Sequence, residues 1–213
     1  MLVLFVCIKQ FLIELGIFFL IEIPFNIVKG RGFLMIIGQG VFLRPITEKD
    51  VDSIYMGLQN EEIMYMTGTR NIFTKDQIRE ALNRFSEDST RHDFAICLVE
   101  NSQIIGDLAI MEIDLDNKKA MFRIALHSIE NCGKGYGAEA AQLTQKFTFE
   151  ELQLNRLELQ VYSHNIRGMK SYEKVGFKKE GILRQSLYMN DKYSDEIIMS
   201  ILRDEYMELK KNH

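Results

Sequence analysis

From Val41 onward the apolar positions fall into short blocks whose spacing switches between the period of a strand and that of a helix. Val41-Phe42-Leu43-Arg44 reads as a short strand stopped by Pro45. Thr47 with Asp50 resembles an N-cap pair, and Val51, Ile54, Tyr55 and Leu58 follow at helical spacing, so a first helix is expected there. Thr74 and Gln77 form a capping box ahead of a second helix, with Ile78, Ala81, Leu82 and Phe85 on one face. Between the two, Tyr65-Met66-Thr67-Gly68-Thr69-Arg70 has no periodicity and reads as a loop, the kind of segment that often carries specificity.

Three strand-like runs follow, at residues 94–99, 104–115 and 120–126, separated by Glu100-Asn101-Ser102 and Asp116-Asn117-Lys118. Short polar turns between such runs predict an antiparallel meander. Residues 137–152 are helical in period, with Ala140, Leu143 and Phe147 facing inward. In the next strand Leu157, Leu159 and Val161 alternate with Arg156, Glu158 and Gln160, which gives it one more deeply buried face. Asn165 can cap a helix running to Lys174, with Gly176 as its stop, and two last strands are expected at residues 183–188 and 196–201 around Asn190-Asp191-Lys192. The chain shows no internal repeat and no second domain.

Residues 1–34 have a different character. Leu, Ile, Phe and Val dominate, but Lys9, Glu14 and Glu22 interrupt them. The uncharged stretch between the two glutamates falls far short of the roughly 18 to 20 apolar residues that a spanning helix needs. The order of a secretory signal is also missing. Lys29-Gly30-Arg31-Gly32 can be encoded by AAA-GGG-AGG-GGN, a purine-rich ribosome-binding sequence two residues before Met35. The expected division is therefore a hydrophobic leader over residues 1–34 and one domain over residues 35–213. A genuine N-terminal helix packed on the domain is the alternative.

Charge and cysteine usage narrow the partners. The 213 residues carry 26 Lys plus Arg against 30 Asp plus Glu, a net charge of -4, which favours neither nucleic acid nor an anionic membrane surface. An anionic ligand must then be held by local structure. Cys7, Cys97 and Cys132 form no CxxC pair, and the four histidines have no i, i+4 spacing, so no disulfide framework and no metal site are expected. A reducing, cytoplasmic setting fits.

The most informative stretch is Cys132-Gly133-Lys134-Gly135-Tyr136-Gly137-Ala138-Glu139-Ala140, between a strand and a helix. Glycines at alternate positions remove the side chains that would keep a ligand off the backbone. Their N–H groups can then converge on phosphate oxygens at the positive end of the helix. No Gly-Lys-Ser/Thr is present, so this is not a nucleotide triphosphatase loop. Nor is it the opening turn of a dinucleotide-binding βαβ unit. A plain tight turn is the other reading.

Downstream stands Asn165-Ile166-Arg167-Gly168-Met169-Lys170-Ser171-Tyr172-Glu173-Lys174-Val175-Gly176-Phe177, and later Tyr188-Met189-Asn190-Asp191-Lys192-Tyr193-Ser194-Asp195. With the glycine turn, in this order, the chain resembles the GNAT superfamily of N-acetyltransferases over residues 40–206. Within it, the likeness is to the branch holding ribosomal-protein N-terminal acetyltransferases and spermidine acetyltransferases. The resemblance implies a single α+β domain with a mixed, mostly antiparallel sheet that splays around acetyl-CoA, flanked by helices. It implies acetyl-CoA as co-substrate and a primary amine as acceptor, on a peptide or protein N-terminus or on a small molecule. A non-catalytic acyl-CoA-binding module is the alternative, and a homodimer is compatible with the branch.

By the same resemblance, Gly133, Lys134, Gly135, Tyr136, Gly137 and Ala138 receive the pyrophosphate, although Cys132 replaces the usual Gln or Arg. Ile124, Ala125 and Leu126 pair with the pantetheine arm, Asn165 contacts the coenzyme, and Tyr172 protonates the departing thiolate. Asn165 as a simple cap and Tyr172 as a packing residue are the structural alternatives. Acetyl-CoA is already activated, so positioning and electrostatics can carry most of the rate and no protein nucleophile is needed. Cys132 has no His partner in sequence that would make it one.

The base is the least determined part. Glu112, which shares a strand face with Leu108, Ile110 and Asp114, is the first candidate, and Asp114 and His127 are others. Relatives that acetylate polyamines often carry Glu before the Phe of the next strand, where this chain has Met121 before Phe122, a departure that favours a peptide N-terminus or a less cationic amine. Arg167, Lys170 and Lys174 form a basic stripe at helical spacing. It is either a solvated face or, through Arg167 or Lys170, a contact to the 3′-phosphate of the coenzyme.

Overall fold

The computed structural model describes residues 26–30 and 33–211. Nine strands and six α-helices occur among the described residues. They run β1 (Asn26–Gly30), β2 (Phe33–Ile37), β3 (Val41–Pro45), α1 (Val51–Gly57), α2 (Glu61–Thr67), α3 (Lys75–Glu87), β4 (His92–Leu98), β5 (Ile104–Asp114) and β6 (Lys119–Leu126). The second half continues as α4 (Tyr136–Lys146), β7 (Arg156–Tyr162), α5 (Ile166–Lys174), β8 (Lys178–Met189), β9 (Lys192–Leu202) and α6 (Arg203–Lys211). All the strands lie in one sheet of order β1-β2-β3-β4-β5-β6-β7-β9-β8. Every described pairing is antiparallel except that of β6 with β7, so the architecture is the mixed, mostly antiparallel α+β domain expected.

Alternation builds the core. Leu157, Leu159 and Val161 of β7 are buried with Leu108 and Ile110 of β5, and Ala140, Leu143 and Phe147 close over them. Arg44 and Asp50 fix the start of α1: two guanidinium nitrogens donate to the two carboxylate oxygens at 2.7 Å each, and Asp50 also accepts from the Thr47 backbone. Burial opposes the charge on Asp50, but these donors outweigh it and hold its carboxyl below the usual carboxylate range. The Thr74–Gln77 capping box at the head of α3 is present as expected.

Three elements depart from the sequence reading. Residues 65–67, expected in a loop, form the last turn of α2. This helix of seven residues buries only Ile63, so it carries no apolar stripe to announce it; Asn60 caps it, accepting from the Ile63 N–H at 3.1 Å, and Gly68 ends it in the left-handed region. The closing helix α6 is short too, and sets only Tyr206 and Met207 on the core. It is held by Tyr206, whose ring lies against Phe149 and whose hydroxyl donates to Glu150, and by Lys210 on the same carboxylate. At the other end β1 pairs with β2 in a hairpin, and Ile27 packs against the main core. Met35 therefore lies within β2, next to the fully buried Ile36, and the rest of the expected leader, residues 1–25 and 31–32, lies outside the described residues. Among the described residues no helix is long and apolar enough to cross a membrane.

Candidate active site

The site arises where the one parallel pairing fails. β6 and β7 are in register only from Lys119 to Met121 against Arg156 to Glu158; beyond Met121 the strands separate. The gap holds a cavity of about 160 Å³. Because side chains alternate along β6, Phe122 and Ile124 reach the cavity on one side of the sheet, and Arg123 and Ala125 on the other, where His127 also lines it just past the strand's end. Helix α5 closes the first side with Asn165 and Tyr172, while α1 and α2 close the second with Ile54, Leu58, Ile63 and Met64.

On the α5 side, the expected coenzyme residues come together. Gly133 and Gly135 have φ of 76° and 90°, a conformation that favours glycine, and a Cβ built on either would meet nothing within 4 Å. The turn thus presents bare backbone to solvent at the N-terminus of α4, an eleven-residue helix whose cap, Gly135, supplies no side-chain acceptor. Its leading N–H groups are the donors that an anion can take. Tyr136 and Ala138 turn their side chains to the core, Lys134 is exposed, and Gly137 lies beside Leu126 at the end of β6. Glu139, in the first turn, accepts the backbone N–H groups of Gln39 and Gly40, the latter at 3.0 Å, and so ties the glycine turn to the β2–β3 connection.

Tyr172 has its ring edge-on to Phe122 and Phe177, and burial pushes its hydroxyl up to about 12. A phenol held neutral in this way keeps its proton at ordinary pH and can give it to a stronger base. Asn165 accepts from Gly168 N–H at 2.9 Å, capping α5, while its amide points to the Met66 carbonyl at 3.4 Å, so its capping role is structural whatever else it contacts. Burial raises the Cys132 thiol, with the Arg167 charge opposing from nearby, and its Sγ faces the Ser128 carbonyl, which leaves it a poor nucleophile. Arg167, Lys170 and Lys174 are exposed on α5, Arg167 being the one whose charge reaches the turn.

On the α1 side the structure departs from expectation. Glu112 is exposed, has a φ of 53° and does not line the cavity. A bulge between Met111 and Asp114 breaks the alternation that would have put both carboxylates over the cleft, and Asp114 instead binds Asn117 in the turn. The carboxylate that does reach the cavity is Asp107, opposite Ala125 in the ladder. His127 lies 2.9 Å from it through Nε2, Arg123 donates to it at 3.2 Å, and Ser53 lies 3.1 Å from His127 Nδ1. Burial works against the charge on Asp107, yet His127 and Arg123 hold it below the usual carboxylate range. Its one signal in the sequence is a carboxylate inside the apolar run of residues 104–110.

The far wall is fixed by His164, which stacks on Tyr65 at 4.1 Å and bridges the Tyr65 carbonyl and Ser194 at 2.8 Å each. That contact holds the end of α2 against the end of β7, opposite the β6 edge.

A splayed sheet with a glycine-rich helix N-terminus on one side and, on the other, a cleft walled in part by Ile54, Leu58, Ile63 and Met64 is the apparatus of a coenzyme A-dependent acyl transferase. Residues 41–178 match the acetyltransferase (GNAT) domain, and the chain belongs to that family. It is an N-acetyltransferase with acetyl-CoA as co-substrate. It is 29% identical to the probable N-acetyltransferase YjcK of Bacillus subtilis, over 79% of this chain and 97% of that protein. It is 28% identical to the spermidine N(1)-acetyltransferase of Vibrio cholerae, over 78% and 94%. Among solved structures, the Vibrio cholerae spermidine N-acetyltransferase in complex with CoA and spermine superposes with a TM-score of 0.74 at 26% identity, covering 79% of this chain and 98% of that one.

Proposed function

We propose that this enzyme acetylates a primary amine carried on a largely apolar body, either a peptide N-terminus or a small molecule, in preference to a polyamine. The observation that carries the reading is the charge of the acceptor side. Among the described residues that line the cavity the one carboxylate is Asp107, bound by both Arg123 and His127, and the facing wall includes Ile54, Leu58, Ile63 and Met64. A polyamine brings several cations, each needing a partner once desolvated, whereas a single amine on an apolar body does not. Self-association, read by light scattering, would use the exposed Ile182, Leu183, Tyr188 and Tyr193 of the β8–β9 ribbon. The bacterial relatives and the unpaired Cys97 and Cys132 support a bacterial cytoplasmic setting.

In this reading the backbone of the turn from Gly133 to Ala138 holds the pyrophosphate, the β6 edge at Ile124, Ala125 and Leu126 orients the pantetheine arm, and Arg167 reaches the 3′-phosphate. The amine nitrogen approaches from the α1 side, its bond to the acetyl carbon forms as the C–S bond breaks, and Tyr172 gives its hydroxyl proton to the sulfur. Thiol release from acetyl-CoA across a panel of N-terminal peptides, apolar monoamines, spermidine and spermine tests the acceptor class. Higher kcat/KM for the apolar amines is expected, and a clear preference for spermidine would overturn it.

A further inference from the structure

Acetyl transfer to an amine moves two protons, one to the thiolate and one away from the nitrogen, and the cleft offers groups for them on opposite sides of the sheet. Tyr172 stands with α5 on the coenzyme side; His127 stands with α1 on the acceptor side. We infer that His127 is the base that takes the proton from the attacking amine and that Asp107 is the positioning residue that sets its tautomer and orientation.

The hydrogen bonds of the ring fix which nitrogen carries the proton. Asp107 is ionised, and a carboxylate only accepts, so Nε2, 2.9 Å from Oδ1, bears the hydrogen. The neutral ring then has its lone pair on Nδ1, where Ser53 Oγ donates at 3.1 Å. The ring cannot swing away from this arrangement. A Cβ on Gly57 would come within 2.7 Å of the ring carbons, so α1 rests directly on the imidazole, and the His127 N–H continues the β5–β6 ladder to the Ile105 carbonyl at 2.8 Å. The charged or titratable neighbours are Asp107 from β5 and Arg123 from β6; α1 contributes Ser53 and the Gly57 backbone, with no charge. A base oriented through its second nitrogen by a buried carboxylate is the arrangement that hydrolytic triads use on other folds. Here the imidazole belongs to a residue that lines the cleft, and an amine takes the place of the protein nucleophile. The N–H proton passes to Nδ1, directly or through the Ser53 hydroxyl, as the C–N bond forms, and Tyr172 supplies the other proton to sulfur. Solvent returns both groups to their starting states.

This rests on the acetyl-transfer reading above, and the test separates the two. His127→Gln and Asp107→Asn are compared with the full-length wild type in the same assay, using a weakly basic amine that is already neutral across the pH range, so that only the enzyme's base titrates. Acetyl-CoA affinity by calorimetry and the melting temperature are measured alongside. His127→Gln is expected to lower kcat by about 10² or more and to remove the acidic limb of its pH profile, with acetyl-CoA affinity within about twofold of wild type. Asp107→Asn keeps the base but frees its tautomer and orientation, so it should lower kcat while leaving acetyl-CoA affinity and the melting temperature near wild type. A folded His127→Gln protein with turnover within about threefold of wild type and its acidic limb intact would overturn the inference while leaving acetyl transfer standing. If that variant does not fold, imidazole nitrogen NMR of the wild type decides: the Nε2–H tautomer supports the assignment, and an Nδ1–H tautomer overturns it.

Discussion

At the scale of single residues, Tyr172 is the group whose chemistry can be isolated most cleanly. Its ring packs edge-on against Phe122 and Phe177, and its hydroxyl makes no hydrogen bond to another described residue. Tyr172→Phe therefore keeps the packing and removes only the proton. If Tyr172 is the acid, the maximal rate at saturating amine falls by roughly 10² to 10⁴, the range for such a group, while acetyl-CoA affinity changes little. A packing role predicts lower stability or weaker coenzyme binding with turnover kept in the folded fraction. A wild-type rate, with chemistry shown to limit turnover, would leave water as the donor. The place of Tyr172 in the cavity wall was legible in the sequence because it sits in an ordered motif. The acceptor-side groups were not: Asp107, Arg123 and Ser53 come from three elements, and only the fold brings them around His127. Glu112 pointed the other way for a local reason, since period-2 reasoning fails at a bulge that no residue in the stretch announces.

At the scale of elements, legibility followed the length of the repeat. β7 could be placed from its alternation and α3 from its capping box and the helical spacing of Ile78, Ala81, Leu82 and Phe85, whereas α2 and α6, of seven and nine residues, are too short to show such a repeat. The glycine turn with α4 is the element whose function depends most on what it lacks. Gly135 is a poor place to test this, since any side chain at a φ of 90° is strained before a ligand arrives. Gly137 is better: it lies in the first helical turn, and an added Cβ meets only Leu126 Cδ1 at 3.9 Å, an ordinary contact. Gly137→Val should keep its melting temperature within a few degrees and lose at least about tenfold in acetyl-CoA affinity by calorimetry, because the branched side chain crowds the donors at the helix start. Unchanged affinity would reduce the alternating glycines to a structural turn.

At the scale of the whole molecule, the question is how much of the chain the site requires. The glycine turn, the splayed β6–β7 pair and both walls of the cleft lie after Val41, and the contact that ties the turn to the sheet is made by Glu139 to the backbone at Gln39 and Gly40. What precedes Met35 among the described residues contributes the β1 strand, the packing of Ile27 and Leu34 on the core and an ion pair from Lys29 to Glu151. That ion pair is exposed and so adds little. Two half-buried aliphatic side chains are together worth about 2 to 3 kcal/mol. Ile36, fully buried, stays with a chain that begins at Met35. Such a chain is expected to be soluble and to bind acetyl-CoA within about twofold of the full-length protein, with a melting temperature lower by roughly 4 to 12 °C, the shift that this loss produces in a domain of this size. Calorimetry and thermal melts of the two chains side by side check it. Aggregation, or loss of coenzyme binding from the shorter chain, would make the hairpin an integral wall of the domain and would rule out Met35 as the boundary of the catalytic unit.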